Sequence, residues 1–170
     1  EDGFYMVNKW HDIETGPDGE APETIHAVIE NPTGTQNKYE YDKDKEATVL
    51  DRVLYASINY PGDYGFIPQA YYEDGDPMDI LVLTTHPTFP GCVMEVRPVG
   101  ILYMDDDGEQ DDNIIAVPEE DPRWDDIENL DDVNEHRKKE IAEFFKTYKN
   151  LEPKKEVIIE GWSGKEEAFE

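Results

Sequence analysis

The sequence predicts a mainly β domain of the α+β class: a small closed barrel with one long packed helix and a short C-terminal helix. Three observations carry that expectation. Short apolar runs recur along the chain, each ended by Gly, Pro, Asn or Asp. One of them is interrupted by Pro98 and Gly100, which marks a bulge or barrel corner rather than a flat central strand. A single stripe of Ile141, Phe144, Phe145 and Tyr148 follows the i, i+3, i+4, i+7 spacing of an amphipathic helix. Many short strands followed by one such helix fit a closed sheet with a helix laid on it.

Residues 1–21 read as a peripheral segment, with a turn at Pro17-Asp18-Gly19 and a polar stretch over 12–20. From Thr24 the pattern becomes strand-like: Ile25, Ala27 and Ile29 alternate with their neighbours until Asn31-Pro32-Thr33-Gly34 ends the run. Residues 37–42 and 48–55 form two further strands joined by the polar turn Asp42-Lys43-Asp44-Lys45. Residues 60–68, dense in Tyr, Gly and Pro, read as a loop wrapping the core; a packed tyrosine there could donate to phosphate. Strands follow at 79–85, 93–104, 114–117 and 157–159. The helix spans 132–149, with Asp131 or Asp132 as N-cap and Lys146 and Lys149 in its last turn, where cations are favoured. A shorter helix begins near Gly164. At 170 residues the chain reads as one domain, 1–170.

Composition narrows the function. The chain carries 42 acids against 15 Lys plus Arg, a net charge of -27, so its surface repels nucleic acid and anionic membranes. The acids are interleaved with apolar strands, which favours a folded protein adapted to strong salt over a disordered acidic tail. No apolar run approaches a membrane span, and no basic, apolar signal region opens the chain. The lone Cys92 excludes an internal disulfide and fits a reducing compartment, the cytoplasm by default. It reads as a small buried hydrophobe. Four His with no metal-ligand spacing read as core (His26), loop (His86) and helix surface (His136) among others. No Ser-His-Asp set, Walker loop or G-x-G-x-x-G stands out.

Chemistry is concentrated in two acidic groups. Asp74, Asp76 and Asp79 surround a Gly-Pro turn that runs into an apolar strand, an arrangement suited to hard divalent cations. Asp105, Asp106, Asp107, Asp111 and Asp112 flank Gly108 in a second turn, where plain solvation is the competing explanation. Neither has EF-hand spacing. Lys38 and Glu40, two apart on one strand, share a face; an ordinary ion pair would also account for them.

These residues fall within an ordered series of motifs: I-E-N-P (29–32), N-K-Y-E-Y-D (37–42), L-D-R (50–52), Y-P-G-D-Y-G-F-I (60–67), D-G-D-P-M-D (74–79), R-P-V-G (97–100), A-V-P (116–118), Y-K-N-L-E (148–152) and E-G-W (160–162). The series, running from about Thr24 to Trp162, closely resembles the soluble inorganic pyrophosphatases of family I, in their haloarchaeal form. The resemblance implies a five-stranded OB-like barrel, hydrolysis of pyrophosphate to two phosphates by a water activated between several Mg2+ ions, and often a homohexamer. That reaction would drive biosynthetic steps forward in a high-salt cytoplasm. By the same resemblance Glu30, Asp74, Asp79, Asp106 and Asp111 hold metal, and Asp76 is the base or hydrogen-bond partner of the attacking water. Asp105, Asp107 and Asp112 are left as surface acids. Lys38, Arg52, Tyr148 and Lys149 hold phosphoryl oxygens, Tyr60 and Tyr64 line the pocket, and Glu40 stays near. Asn113 stands where the family usually has a lysine, so weaker phosphate binding is expected.

Two other readings compete: an OB-like binding module without activity, and a hydrolase of nucleotide or organic diphosphates. Retention of Lys38, Arg52 and Lys149 in so acidic a chain argues against the first. The absence of an evident base-stacking loop or Nudix-type helix argues against the second.

Overall fold

Nine strands and two helices follow from these patterns, seen in a computed structural model that describes residues 8–72 and 75–170. Asp74, expected as a metal ligand, lies outside the described residues. Five strands close on themselves: β1 (Ile25–Asn31) pairs β4 (Asp63–Tyr71), β4 pairs β5 (Pro77–Val82), β5 pairs β8 (Asn113–Pro118), β8 pairs β6 (Val93–Asp106), and β6 returns to β1. β2 (Asn37–Asp42) and β3 (Ala47–Val53) form a separate hairpin; β7 (Glu109–Gln110) and β9 (Val157–Gly164) pair the far half of β6. The expected barrel is present.

All its contacts are antiparallel but one. β5 and β8 run parallel, with Asp79 in register with Asn113. Both acidic groups are thereby delivered to one end of two neighbouring strands. β5 and β8 are apolar on both faces because both faces are covered. Ile80, Val82, Ile114 and Ala116 join one core cluster, while Leu81, Leu83, Ile115 and Val117 join the other, with Phe144 and Phe145 of the helix. The bend expected at Pro98 and Gly100 is a register shift in the β6–β8 ladder.

One expectation fails. Residues 60–68 are not simply a loop: β4 starts at Asp63 and supplies a barrel strand. Its Gly65 has a packing reason, not a turn reason, because a Cβ there would lie 1.9 Å from the Val28 carbonyl oxygen. The proline falls where the β4–β5 register shifts, between Phe66 and Tyr71, and so costs no regular ladder bond.

Helix α1 (Glu135–Thr147) starts later than its acids indicated. Asn134 is the N-cap, its side chain accepting from the amides of His136 at 2.9 Å and Arg137 at 3.3 Å. Asp132 instead closes a capping box with Asn129 on the preceding 3-10 turn, Leu130–Asp132. The α1 stripe packs as expected: Phe144 lies 4.8 Å from the Tyr60 ring and 5.2 Å from Tyr148, and Phe145 lies 5.7 Å from Tyr64. Such aromatic pairs add about 1 kcal/mol each beyond their buried area, and here they fix the end of α1 that presents Tyr148 and Lys149. Helix α2 (Lys165–Phe169) follows Gly164. His26 is half-buried rather than core, its ring bonded to the Glu14 carbonyl at 2.7 Å. Cys92 is also half-buried.

Asp63 ties the loops around β4 together. Its fully buried carboxylate accepts from the amide of Thr33 (2.9 Å) and of Thr88 (2.9 Å), and from the hydroxyls of Thr33, Thr84 and Thr88. Asp63→Ala strands these donors and is expected to destabilise the protein by about 3 kcal/mol or more in urea unfolding at high salt. A loss under 1 kcal/mol would mean that water replaces the carboxylate there.

Candidate active site

Two adjoining hollows of about 340 Å³ and about 300 Å³ meet at Asp76, Pro77, Asp79 and Asp111. The first also takes Glu30 from β1, Lys38 and Glu40 from β2, Tyr64 from β4, and Tyr148 and Lys149 from the end of α1. The second adds Tyr72, Asp106, Glu109 and Gln110. Seven separate elements thus converge on a single acidic cleft with two lysines in its wall.

The electrostatics are those of carboxylates short of cations. Asp79 and Asp111 are hydrogen-bonded to each other, and both carboxyls are pushed above the usual range. Burial is the main cause for each; repulsion from Asp111 adds to it for Asp79, and repulsion from Asp106 for Asp111. The Tyr64 hydroxyl donates to Asp79 and partly offsets this. Burial raises Glu30 to about 7, against a bond from the Tyr41 amide (2.6 Å) and the nearby charge of Lys38. Glu30, Tyr64 and Asp79 keep some exposed surface because they open onto the cleft.

The cations have acidic partners. Lys149 pairs with Asp106, and Lys38 with Glu40 and, at 3.6 Å, with Asp51 across the hairpin. The ordinary ion pair considered for Lys38 and Glu40 therefore exists, but on the cleft wall. Asp76 sits where the hollows join.

Two expected residues stand off the cleft wall, and a third lies beneath it. Arg52 lies behind the wall, its guanidinium bonded to Asp51 and, at 3.0 Å, to Glu152. Tyr60 is core: its ring stacks 5.6 Å from Tyr64, and its buried hydroxyl has no hydrogen-bond partner among the described residues. Asn113 is fully buried and lines neither hollow; its amide donates to the Met104 sulfur and the Asp111 carbonyl, each at 3.3 Å. It stands behind Asp111 rather than on the cleft surface. Asp112 is not a surface acid. It is buried, accepting from the Met104 amide (3.0 Å) and the Gln110 side chain (2.5 Å). Sequence reasoning also missed Trp10, Tyr41 and Tyr72 on the wall; a large aromatic residue in a segment read as peripheral was the signal for Trp10.

A cleft walled by carboxylates and lysines, at one end of a closed five-stranded barrel, suits an enzyme that handles phosphorylated substrates. The comparisons agree on which. A sequence profile described as inorganic pyrophosphatase matches residues 27–170. The inorganic pyrophosphatase of Halobacterium salinarum is 62% identical over 157 residues, covering 92% of this chain and 88% of that protein. That of Haloferax volcanii is 61% identical over 163 residues, covering 96% and 91%. The crystal structure of the Thermus thermophilus inorganic pyrophosphatase superposes with a TM-score of 0.92 at 50% identity, covering 96% of this chain and 93% of that one. The chain belongs to the inorganic pyrophosphatase family, and its reaction is hydrolysis of pyrophosphate to phosphate. No helix among the described residues is long and apolar enough to cross a membrane.

Proposed function

We propose that the chain hydrolyses pyrophosphate with a water activated by divalent cations, Mg2+ first, held by Asp79 and Asp111 with Asp74, Asp106 and Glu30. The observation that carries this is the Asp79–Asp111 pair, two hydrogen-bonded carboxyls placed together where the two hollows meet, with Glu30 and Asp106 on the walls beside them. Among the described residues no three Asp, Glu, His or Cys already form a ligand set, and the donors present are oxygens, which suits a hard cation. A cation held there supplies charge for the bound polyanion and lowers the pKa of a water.

The protein's own groups do the rest. Asp76, at the junction of the hollows, takes the proton of the attacking water. Tyr64 holds the Asp79 carboxylate in place through its hydroxyl. Lys38 and Lys149 exchange Glu40 and Asp106 for phosphoryl oxygens as substrate enters, with Tyr148 beside them and Arg52 reaching forward from Glu152. Cations held in the cleft wall stabilise the charge that grows on the leaving phosphate. We place this reaction in a high-salt cytoplasm, where removing pyrophosphate drives biosynthesis forward, and assign the chain a homohexamer. The -27 charge supports the salt, since screening is needed before an anion can approach.

The test is phosphate release from pyrophosphate in molar KCl. Hydrolysis with Mg2+ should be abolished by EDTA and restored by excess Mg2+, and ADP should give a negligible rate. Hydrolysis that survives chelation would end the metal reading; equal rates on ADP would favour a nucleotide hydrolase.

A further inference from the structure

The segment ahead of β1 is part of the cleft. Trp10 lies on its wall although it precedes the region matched by the family profile, residues 27–170. The Trp10 ring packs on Phe66 of β4 at 5.3 Å and on Tyr71 at 6.1 Å. On the other side Lys43, in the β2–β3 turn, sits 5.6 Å over the same ring, and Asn8 donates to Glu46 of that turn at 2.9 Å. Below, Gln69 of β4 donates to the carbonyls of His11 (3.1 Å) and Ile13 (2.7 Å). Asn8 also stiffens the segment, its side chain accepting from the Trp10 amide at 2.9 Å.

These contacts have one geometric result. β2 and β3 form a sheet of their own, outside the barrel ladder. That hairpin carries Lys38 and Glu40, whereas Asp76, Asp79 and Asp111 stand on the barrel side. The side chains of Asn31 and Glu30 in β1 tie the hairpin to the barrel through the backbone of Tyr39 and Tyr41, and residues 8–13 add a second bridge, with Trp10 as the wedge. We infer that Trp10 is a positioning residue: it sets the distance between the lysine-bearing hairpin and the carboxylate-bearing barrel, and with it the grip on the far phosphoryl group. The inference rests on the cleft reading above. A wedge that places a binding group acts on capture of the substrate more than on the chemical step.

The experiment compares wild type with Trp10→Ala, Trp10→Phe and Asn8→Ala in the full chain, by pyrophosphate kinetics and by amide hydrogen exchange. Trp10→Ala should raise the KM for pyrophosphate about tenfold while kcat stays within about twofold, and should speed exchange over the β2–β3 hairpin but not in β5 or β8. Trp10→Phe should recover most of both effects. Asn8→Ala, a change at a half-buried residue outside both core clusters, should move them the same way by less. Unchanged hairpin exchange overturns the inference, as does faster exchange with an unchanged KM, or a loss confined to kcat. A wild type that fails to hydrolyse pyrophosphate would sink the function proposed above, while the exchange data would still decide whether Trp10 holds the hairpin.

Discussion

Asp79→Asn is expected to lower kcat for pyrophosphate by about 10³-fold or more, roughly 4 kcal/mol of transition-state stabilisation. The substitution keeps the shape of the side chain and its place in β5, in register with Asn113. What it removes is half of the charge that the Asp79–Asp111 pair offers to a cation. The same change should act in the opposite direction on the metal-free protein. There the Asp79 charge is desolvated and opposed by Asp111 and Glu30, so a neutral amide relieves strain. The variant should therefore be nearly inactive in Mg2+ yet melt higher than wild type in EDTA at pH 8. Mg2+ should raise its Tm far less than it raises that of the parent. A variant that is both inactive and less stable without metal would place Asp79 in a purely structural role.

Transfer from molar KCl into buffer of about 10 mM ionic strength is expected to unfold the protein or lower its Tm by tens of degrees. The Debye length grows from about 3 Å to about 30 Å over that change, so acids that ignored one another begin to repel across the whole molecule. The chain has little internal remedy. Its 15 Lys and Arg face 42 acids, and in the cleft Lys38 and Lys149 are already paired with acids. Mg2+ at millimolar levels should recover part of the loss by binding in the cleft, and KCl should recover it more completely. Circular dichroism followed through dialysis reads the result directly; an unaltered spectrum and melting curve would remove the case for salt adaptation.

How far the sequence revealed this molecule depends on where its signals came from. Strands with clean apolar runs, such as β5 and β8, and the α1 stripe were legible because burial dictates those residue types. β4 was not, because its Gly65 and Pro68 answer to the strand packed against it and to a register shift. In sequence the same letters signal a turn. The helix start was misplaced for a related reason. Asp131, Asp132 and Asn134 are all good caps, and only the geometry decides that one serves a 3-10 turn and another the helix.

The site divides in the same way. The resemblance named Glu30, Lys38, Asp76, Asp79, Asp106, Asp111, Tyr148 and Lys149, and these share one cleft. Depth was the missing quantity. Asn113, Asp112 and Tyr60 sit at or beside motif positions, yet they lie beneath the surface and hold other groups in place. Trp10 carries no motif and was read as peripheral, since nothing local to a polar segment reports a contact with Phe66.

β6 has a consequence for how the molecule can come apart. This one strand of 14 residues is hydrogen-bonded to β1 and β8 along its first half and to β9 and β7 toward its end. Like the keystone of an arch, it meets four other strands at once. Peeling away β7 or β9 leaves the ring closed, but freeing β6 opens the ring and releases both of them with it. The barrel should then yield in a single step when pulled from the ends of β6, with no halfway structure in which to rest.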